Sequence, residues 1–216
     1  MLILCLHASA LSPRLYLLQD GKVALDDLDT SDVADPARGA TWTEMTQARL
    51  AAIGATVGDI DRLLLDIGPG RLSAVRAAVS FGNALGFGLD RPVTPVIASA
   101  ALGLQAHSAT GLSVLTVHKS AGGNAYVGRV DGGRLIRLRH GPLAETLAAA
   151  AAGLSQAAVV GLAAADAACL PPSLAATDAG DGAIRAETFL QISLATPATP
   201  YAPVQPITDQ SEILRD

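Results

Sequence analysis

Aromatic residues are scarce in this sequence: phenylalanine, tyrosine and tryptophan together make up 3% of its 216 residues. The core must therefore be built from Ala, Leu, Val and Ile, and the 50% hydrophobic content is ample for it. Cysteine is almost absent as well. Cys5 and Cys169 both lie among apolar residues, which favours buried thiols of a reduced, cytosolic protein over a disulfide framework.

Clusters of lysine or arginine are also missing, and the formal net charge is −5. This charge balance argues against strong direct binding of nucleic acid. No apolar stretch reaches about 18 residues without a charge or a Gly/Pro interruption, which excludes an obvious membrane span. The apolar start, MLILCLHAS, lacks the basic region and cleavage site of a signal peptide. We expect a soluble cytoplasmic protein.

The most informative stretch lies in the middle of the first half. An apolar run at Leu63–Ile67 predicts a buried strand, and Gly68–Pro69–Gly70 predicts a tight turn after it. A helix rich in small residues should follow from Leu72 to Gly86, and these small side chains suggest that another backbone packs closely against the helix. A strand, a Gly-x-Gly turn and a helix also begin a dinucleotide-binding unit. Ser73 replaces the third glycine, so a plain strand-to-helix turn is favoured.

The two halves of the chain repeat one pattern. ILCLHAS followed by RLYLLQDGKV resembles VLTVHKS followed by NAYVGRVDGGRL, with His7 matching His118, Ser9 matching Ser120 and Asp20 matching Asp131. Each half has a strand that ends in His-x-Ser and then a hairpin closed by Asp-Gly. This repeat predicts an α/β protein made of a duplicated βββαβα unit. Two such lobes facing each other across a cleft are the plan of the actin-like (ASKHA) ATPases.

The remaining segments are assigned from composition and periodicity. Thr30–Ala40 is polar and predicts a mobile loop, while a helix should follow from Thr41 or Thr43 to about Ile53. A strand is predicted at Pro92–Ile97 and a last helix around Asp181–Leu190. The domains expected are an N-terminal lobe at 1–108, a smaller lobe at 109–195, and a proline-rich tail at 196–216 that packs back on the first lobe.

The segment GPGRLSAVRAAVSFGNALGFGLDRPV, together with ILCLHAS and VLTVHKSAGGNAYVGRV, resembles the TsaB (YeaZ) family, whose members are sometimes labelled peptidase M22 or glycoprotease-like. That family usually reads GPGSFTGxR at the turn. The residues that fit its middle motif are Gly68, Pro69, Gly70, Val75, Arg76, Gly88, Pro92 and Val93. Pro200–Tyr201 is similar to the start of the family's Pro-x-Tyr-Leu-Arg ending, although Ala202–Pro203 replaces the last two residues.

The resemblance implies a role in tRNA threonylcarbamoyladenosine modification. The family acts with a catalytic paralogue, TsaD, and an ATPase, TsaE, and it forms a helical-bundle interface with TsaD or, when alone, a homodimer. For this chain it implies no catalytic residue, no metal and no cofactor. The expected partner interface consists of apolar and small residues on two helices: Met45, Leu72, Ala74, Val75, Ala78 and Gly82.

The chain departs from the family at the ends of its two repeated strands. Relatives commonly carry aspartate where His7 stands and again near His118, and an imidazole does not replace a carboxylate around Mg²⁺. This argues further against ATP hydrolysis. Two histidines alone do not make a transition-metal site. Ser73 and Ser120 lack a His/Asp sequence pattern that would mark a nucleophile.

Two charged residues flank the start of the central helix, Arg71 and Arg76. Two interpretations are equally open: contact with phosphate or an acidic partner, or solvent exposure for Arg71 and an internal ion pair for Arg76. The favoured function is a non-catalytic scaffold that binds and activates a TsaD-type threonylcarbamoyltransferase. The alternative is an ATP-dependent kinase or ATPase of the actin-like fold, which would need acidic residues in its cleft.

Overall fold

The structure is a computed structural model that describes residues 1–10, 13–26, 41–180 and 182–208, and the backbone of 212–214. The predicted loop at Thr30–Ala40 lies outside the described residues. In chain order the strands and helices are β1 (Leu2–His7), β2 (Arg14–Gln19), β3 (Lys22–Leu25), α1 (Trp42–Ala52), β4 (Ile60–Asp66), α2 (Leu72–Leu89), β5 (Val93–Val96), α3 (Ala98–Thr110), β6 (Val114–Lys119), β7 (Asn124–Asp131), β8 (Arg134–Pro142), α4 (Leu143–Ala150), β9 (Gln156–Val160), β10 (Ala175–Asp178), α5 (Ala186–Ala195) and β11 (Glu212–Leu214).

The chain divides into two compact units at points that differ from the predicted domain limits. Unit 1 comprises Met1–Ile97 and Arg185–Ile207, and unit 2 comprises Ala98–Ile184 and Thr208–Asp216. The first limit falls at Ile97 rather than at residue 108, because α3 packs on β6 and β7. The second falls before α5, because that helix packs on β2 and β3.

The two units have the same sheet topology. Unit 1 holds a five-stranded sheet in the order β3-β2-β1-β4-β5, and unit 2 repeats this order as β8-β7-β6-β9-β10 with β11 added beside β8. In both sheets the first three strands form antiparallel pairs and the last two join in parallel. The predicted α/β fold with a duplicated βββαβα unit is therefore confirmed in its βββαβ part; the last helix of the unit is α2 in unit 1 and a short 3-10 helix, Ala164–Cys169, in unit 2.

The sheet of unit 1 is covered on both faces. One face presents Leu2, Leu4 and Leu6 to a core that includes Met45 and Leu50 of α1. Alternate residues of a strand point to opposite faces, so Ile3, Cys5 and His7 belong to the other face. There α5 packs its Phe189 ring 5.5 Å from the ring of Tyr16 and 6.2 Å from that of His7.

A buried arginine fixes α5 on this second face. Arg62 is 3% exposed; its Nε and Nη2 donate to Thr94 Oγ1, and its Nη1 donates to the carbonyl of Ser193 in the last turn of α5. Burial lowers the pKa of Arg62. The carbonyls at a helix C-terminus lack partners within the helix and carry partial negative charge. Arg62 therefore caps α5 from the sheet. The predicted helix around Asp181–Leu190 instead begins at Ala186 and runs to Ala195.

The proline-rich segment after α5 lies along α2. The side chain of Asn83 accepts from the amide of Val204 and donates to its carbonyl, and Ile207 donates its amide to the carbonyl of Ile67. Tyr201 stacks 5.9 Å from Phe87. Residues 196–207 thus belong to unit 1, while β11 pairs with β8 in unit 2.

Candidate functional site

The candidate site of unit 1 is the end of β1 together with the turn from β4 to α2. Asp66, the last residue of β4, is buried and accepts from four groups at the end of β1 through Oδ2: His7 Nδ1 at 2.7 Å, the amides of Ala8 and Ser9 at 3.0 and 2.8 Å, and Ser9 Oγ at 2.6 Å. Its Oδ1 accepts from the amide of Gly68 at 2.8 Å. One carboxylate thus holds both segments of the site.

The chemistry of this site is that of a charged carboxylate with a full set of donors. Burial of Asp66 opposes its ionisation, but hydrogen bonds and attraction from His7, with hydrogen bonds from Ser9 and Gly68, outweigh it and lower the pKa of Asp66. A Mg²⁺ ion needs carboxylate oxygens free for coordination. Oδ2 accepts four hydrogen bonds from the end of β1 and Oδ1 accepts one from the turn, so the oxygens of Asp66 are used to join these two segments.

Sequence reasoning missed Asp66 because it lies inside the apolar run Leu63–Ile67. Acidic residues were expected only at the positions of His7 and His118, where members of the TsaB family commonly carry aspartate. The available signal was a single carboxylate at the end of an otherwise apolar strand. Because β4 pairs in parallel with β1, the ends of these neighbouring strands meet at one edge of the sheet, which brings the carboxylate close to the end of β1.

The turn residues Gly68, Pro69 and Gly70 connect β4 to α2. Gly68 has φ +93°, a conformation that favours glycine, and the Gly68–Pro69 peptide is cis. A Cβ on Gly70 would lie 2.6 Å from Ser9 Cα, so any larger residue would displace the backbone. The glycines are thus required where two chain segments touch.

Four of the six predicted partner-interface residues face the interior of unit 1. Val75 and Ala78 are buried against Ala8 in a small cluster, and a Cβ on Gly82 would overlap the side chain of Leu65 in β4. Met45 is buried in the core under α1. These four residues are occupied by their own unit, so they are removed from the interface hypothesis.

The other two predicted interface residues and several residues not predicted lie at the surface of α2. Leu72 and Ala74 are half-buried. The exposed positions along the helix are almost all small and recur every three or four residues: Ser73, Ala77, Ser80, Ala84 and Gly88. Arg71 and Arg76 are exposed beside them, and Phe87 is 74% exposed. We name the five small residues the small-residue face of α2. A close helix–helix contact through small residues of α2 stays a prediction, and the small residues exposed on this helix are those of this face rather than Ala78 and Gly82.

The equivalent strand end in unit 2 has different partners. Ser120 Oγ lies 2.8 Å from Nε2 of His140, and the rings of His140 and Tyr126 stack at 4.4 Å. His118 is buried at the end of β6 and pairs with Tyr126 across the sheet. Among the described residues, no group of three or more His, Cys, Asp or Glu side chains is arranged to hold a metal ion.

Within the part of the chain that the structure describes, one helix, α2, has the length and apolarity that a membrane-spanning helix needs, with a mean hydropathy of 1.2. A core helix of a soluble fold passes the same test. In this fold α2 packs Val75, Ala78 and Gly82 against its own unit, and 28% of the helix is buried there.

Comparison with known proteins adds two findings, although no family model matches the chain. A stretch of 52 residues is 46% identical to the tRNA N6-adenosine threonylcarbamoyltransferases of Neisseria meningitidis and Neisseria gonorrhoeae. It covers 24% of this chain, and the chain spans only 15% of the length of those relatives.

The second finding concerns solved structures and covers nearly the whole chain. A Pseudomonas aeruginosa protein described as similar to the peptidase YeaZ superposes with a TM-score of 0.71 at 19% identity, over 97% of this chain and 99% of that one. YeaZ from Pseudomonas aeruginosa superposes with a TM-score of 0.62 at 20% identity, over 90% and 92%. The fold is therefore that of YeaZ-like proteins, and the resemblance drawn from the sequence motifs is confirmed at the level of the fold.

Proposed function

We propose that this chain is a non-catalytic scaffold subunit that binds and activates a TsaD-type threonylcarbamoyltransferase in tRNA threonylcarbamoyladenosine synthesis. The YeaZ-like fold and the partial identity to threonylcarbamoyltransferases support this role. A TsaE-type ATPase would join the same assembly, and the chain would form a homodimer when its partner is absent. The negative net charge is consistent with a cytoplasmic subunit that leaves contact with RNA to its partner.

The small-residue face of α2 is the observation that carries this proposal. Small side chains at every third or fourth position let the backbone of a second helix approach closely, and the face runs along an 18-residue helix. The exposed ring of Phe87 borders it and supplies the kind of aromatic anchor on which binding energy concentrates. An opposing helix from the partner would dock along this face.

The hydrogen bonds of Asp66 support a scaffold over an ATPase. The acid that the structure describes at the strand end of unit 1, Asp66, accepts hydrogen bonds from His7, Ser9 and Gly68. The ATP-dependent alternative needs a carboxylate that can organise Mg²⁺ and water. Isothermal titration with Mg-ATP separates the two hypotheses, because micromolar binding accompanied by turnover would contradict a purely scaffolding role.

The direct test is co-expression with the TsaD-type protein of the same organism, followed by size-exclusion chromatography with light scattering. Ala77→Leu and Ala84→Leu should abolish the heterodimer, because leucine at these exposed positions obstructs close helix approach without disturbing the core. The matched control is Ala148→Leu, an exposed alanine in α4 of unit 2. Gly82→Leu is unsuitable as a probe, since it would clash with Leu65.

Each outcome has a definite meaning. A heterodimer lost in both α2 variants and retained in the control supports the scaffold and locates its interface. Separate elution of the two wild-type proteins would contradict the proposed function. A heterodimer that survives both substitutions would place the interface elsewhere.

A further inference from the structure

Unit 2 contains a serine and a histidine in the arrangement of a nucleophile and its base. Ser120 Oγ and His140 Nε2 are 2.8 Å apart, within the range expected for such a pair. With the proton of the neutral imidazole on Nδ1, Nε2 accepts the hydroxyl proton of Ser120. The two residues are 20 positions apart in the sequence, so the sequence pattern alone does not reveal the pair.

Strand pairing brings the two side chains together. β7 pairs with β6 on one side and with β8 on the other, so His118, Tyr126 and His140 form one row across the sheet. Ser120 follows the end of β6 and reaches the last member of this row. The Tyr126 ring, stacked 4.4 Å from His140 at an angle of 38°, restricts the orientation of the imidazole.

The site is open to small molecules. Ser120 is partly exposed, and the loop after it, residues 121–123, is exposed. Gly122 and Gly123 have φ of +68° and +77°, and a Cβ on Gly123 would meet nothing within 4 Å. The neighbouring Lys119 ammonium is held 2.6 Å from Asp166 Oδ2, so this lysine is engaged in an ion pair.

We propose that Ser120 and His140 form an acyl-accepting pair that reacts with small activated esters or thioesters. The Ser120 hydroxyl oxygen bonds to the acyl carbon while His140 Nε2 takes its proton, and the bond to the leaving alcohol or thiol breaks. That leaving group receives the proton. Water then attacks the acyl-serine with His140 again as base, which releases the carboxylic acid and restores the serine.

The restriction to activated substrates follows from what surrounds His140. Among the described residues, the structure shows no carboxylate bonded to its Nδ1, in contrast to a Ser-His-Asp triad. Without that carboxylate the imidazolium is less stabilised, and in subtilisin loss of the aspartate alone costs about 3 × 10⁴ in kcat. Only good leaving groups, such as a nitrophenolate or a thiolate, then react at a measurable rate. This inference does not depend on the proposed scaffold role.

The test uses the full chain with p-nitrophenyl acetate, monitored by nitrophenolate release and by mass spectrometry of the acetylated peptides. We expect acetylation at Ser120 and release at least about a hundredfold faster than in Ser120→Ala or His140→Gln, the lower end of what a positioned base contributes. The matched controls are Ser108→Ala, an exposed serine of α3, and His107→Gln, whose Nδ1 bonds the carbonyl of Leu112. Both controls should retain the wild-type rate.

Two results would overturn the inference. One is acetyl found only on lysines or the N-terminal amine. The other is an unchanged rate in Ser120→Ala. A fluorophosphonate probe gives a second measurement that does not need turnover: it should label wild-type Ser120 and leave His140→Gln unlabelled while circular dichroism shows that the variant remains folded.

Discussion

The first strands of the two repeated units end in the same pattern, His7-Ala8-Ser9 and His118-Lys119-Ser120, yet the two serines have opposite surroundings. Ser9 donates to the buried carboxylate of Asp66, which also accepts from His7. Ser120 lies against an imidazole instead. The same backbone position is a structural anchor in one unit and a chemically competent pair in the other.

The difference originates in the neighbouring parallel strand. β4 ends at Asp66, whereas β9, which has the same place in its sheet, ends at Val160 and continues into Gly161 and Leu162. Neither of the latter carries a carboxylate, so the second repeat has no anion at the position that holds Ser9. The two serines therefore differ through two changes between the repeats, the carboxylate missing after β9 and the imidazole of His140 present on β8.

The largest effect should come from removing the charge that makes unit 1 different. Asp66→Asn replaces an acceptor of five hydrogen bonds with an amide that opposes some of its donors. Breaking a buried charged network typically costs about 3–5 kcal/mol, and we expect that loss in urea unfolding. The matched control is Asp178→Asn in unit 2, where the carboxylate accepts from the amide of Gly180 at an exposed turn. An equal loss in both variants would contradict the anchor role.

The two serines give the next comparison. Ser9→Ala removes a part-buried hydrogen bond to the charged carboxylate of Asp66 and should lower the free energy of unfolding by about 1.5–3 kcal/mol. Ser120→Ala removes a half-buried bond between neutral groups and should cost about 1 kcal/mol or less. Chemical denaturation measures both. If Ser120→Ala lowered the free energy of unfolding more than Ser9→Ala, then Ser120 rather than Ser9 would be the structural anchor.

The smallest expected effect concerns the stability of the protein at acidic pH. Because the pKa of Asp66 is lowered in the folded chain, its contribution is fully present above the unfolded carboxyl pKa of about 3.9. That contribution decreases as pH falls from there through the lowered folded value. We expect the urea midpoint to fall more steeply below about pH 4 in the wild type than in Asp66→Asn. The pKa of Glu44 is lowered by hydrogen bonds from Thr41, and it contributes equally to both proteins. Parallel curves would show that Asp66 does not titrate as proposed.

The fold was predictable from the sequence because each repeat carries local signals. The apolar strands, the Asp-Gly hairpins and the small-residue helix all encode their own secondary structure, and the spacing of His7 and His118 revealed the duplication. β10 was not predicted, because Ala175–Asp178 is exposed throughout and lacks the alternation of a half-buried strand.

The sites were harder to predict, since they depend on which residues different strands bring together. Asp66 was hidden in an apolar run, and His140 reaches Ser120 only through the register of two strand pairs. Small residues occur on every side of α2, so composition alone could not separate Gly82, which faces the sheet, from Ala84, which is exposed. A periodicity of 3.6 defines faces but does not say which one the core takes.

The capping of α5 by Arg62 has a consequence for how this protein is made. The sheet of unit 1 is encoded in the first 97 residues, but the helix that covers Arg62 and Cys5 begins only at Ala186. A ribosome delivers the chain from its N-terminus, so the whole of unit 2 is synthesised before the cover arrives. During that interval a nascent chain exposes an unfinished sheet face with an uncapped arginine, which is the kind of surface that chaperones recognise. The helices α3 and α4 of unit 2 lie within its contiguous segment Ala98–Ile184, so they are synthesised together with the sheet on which they pack.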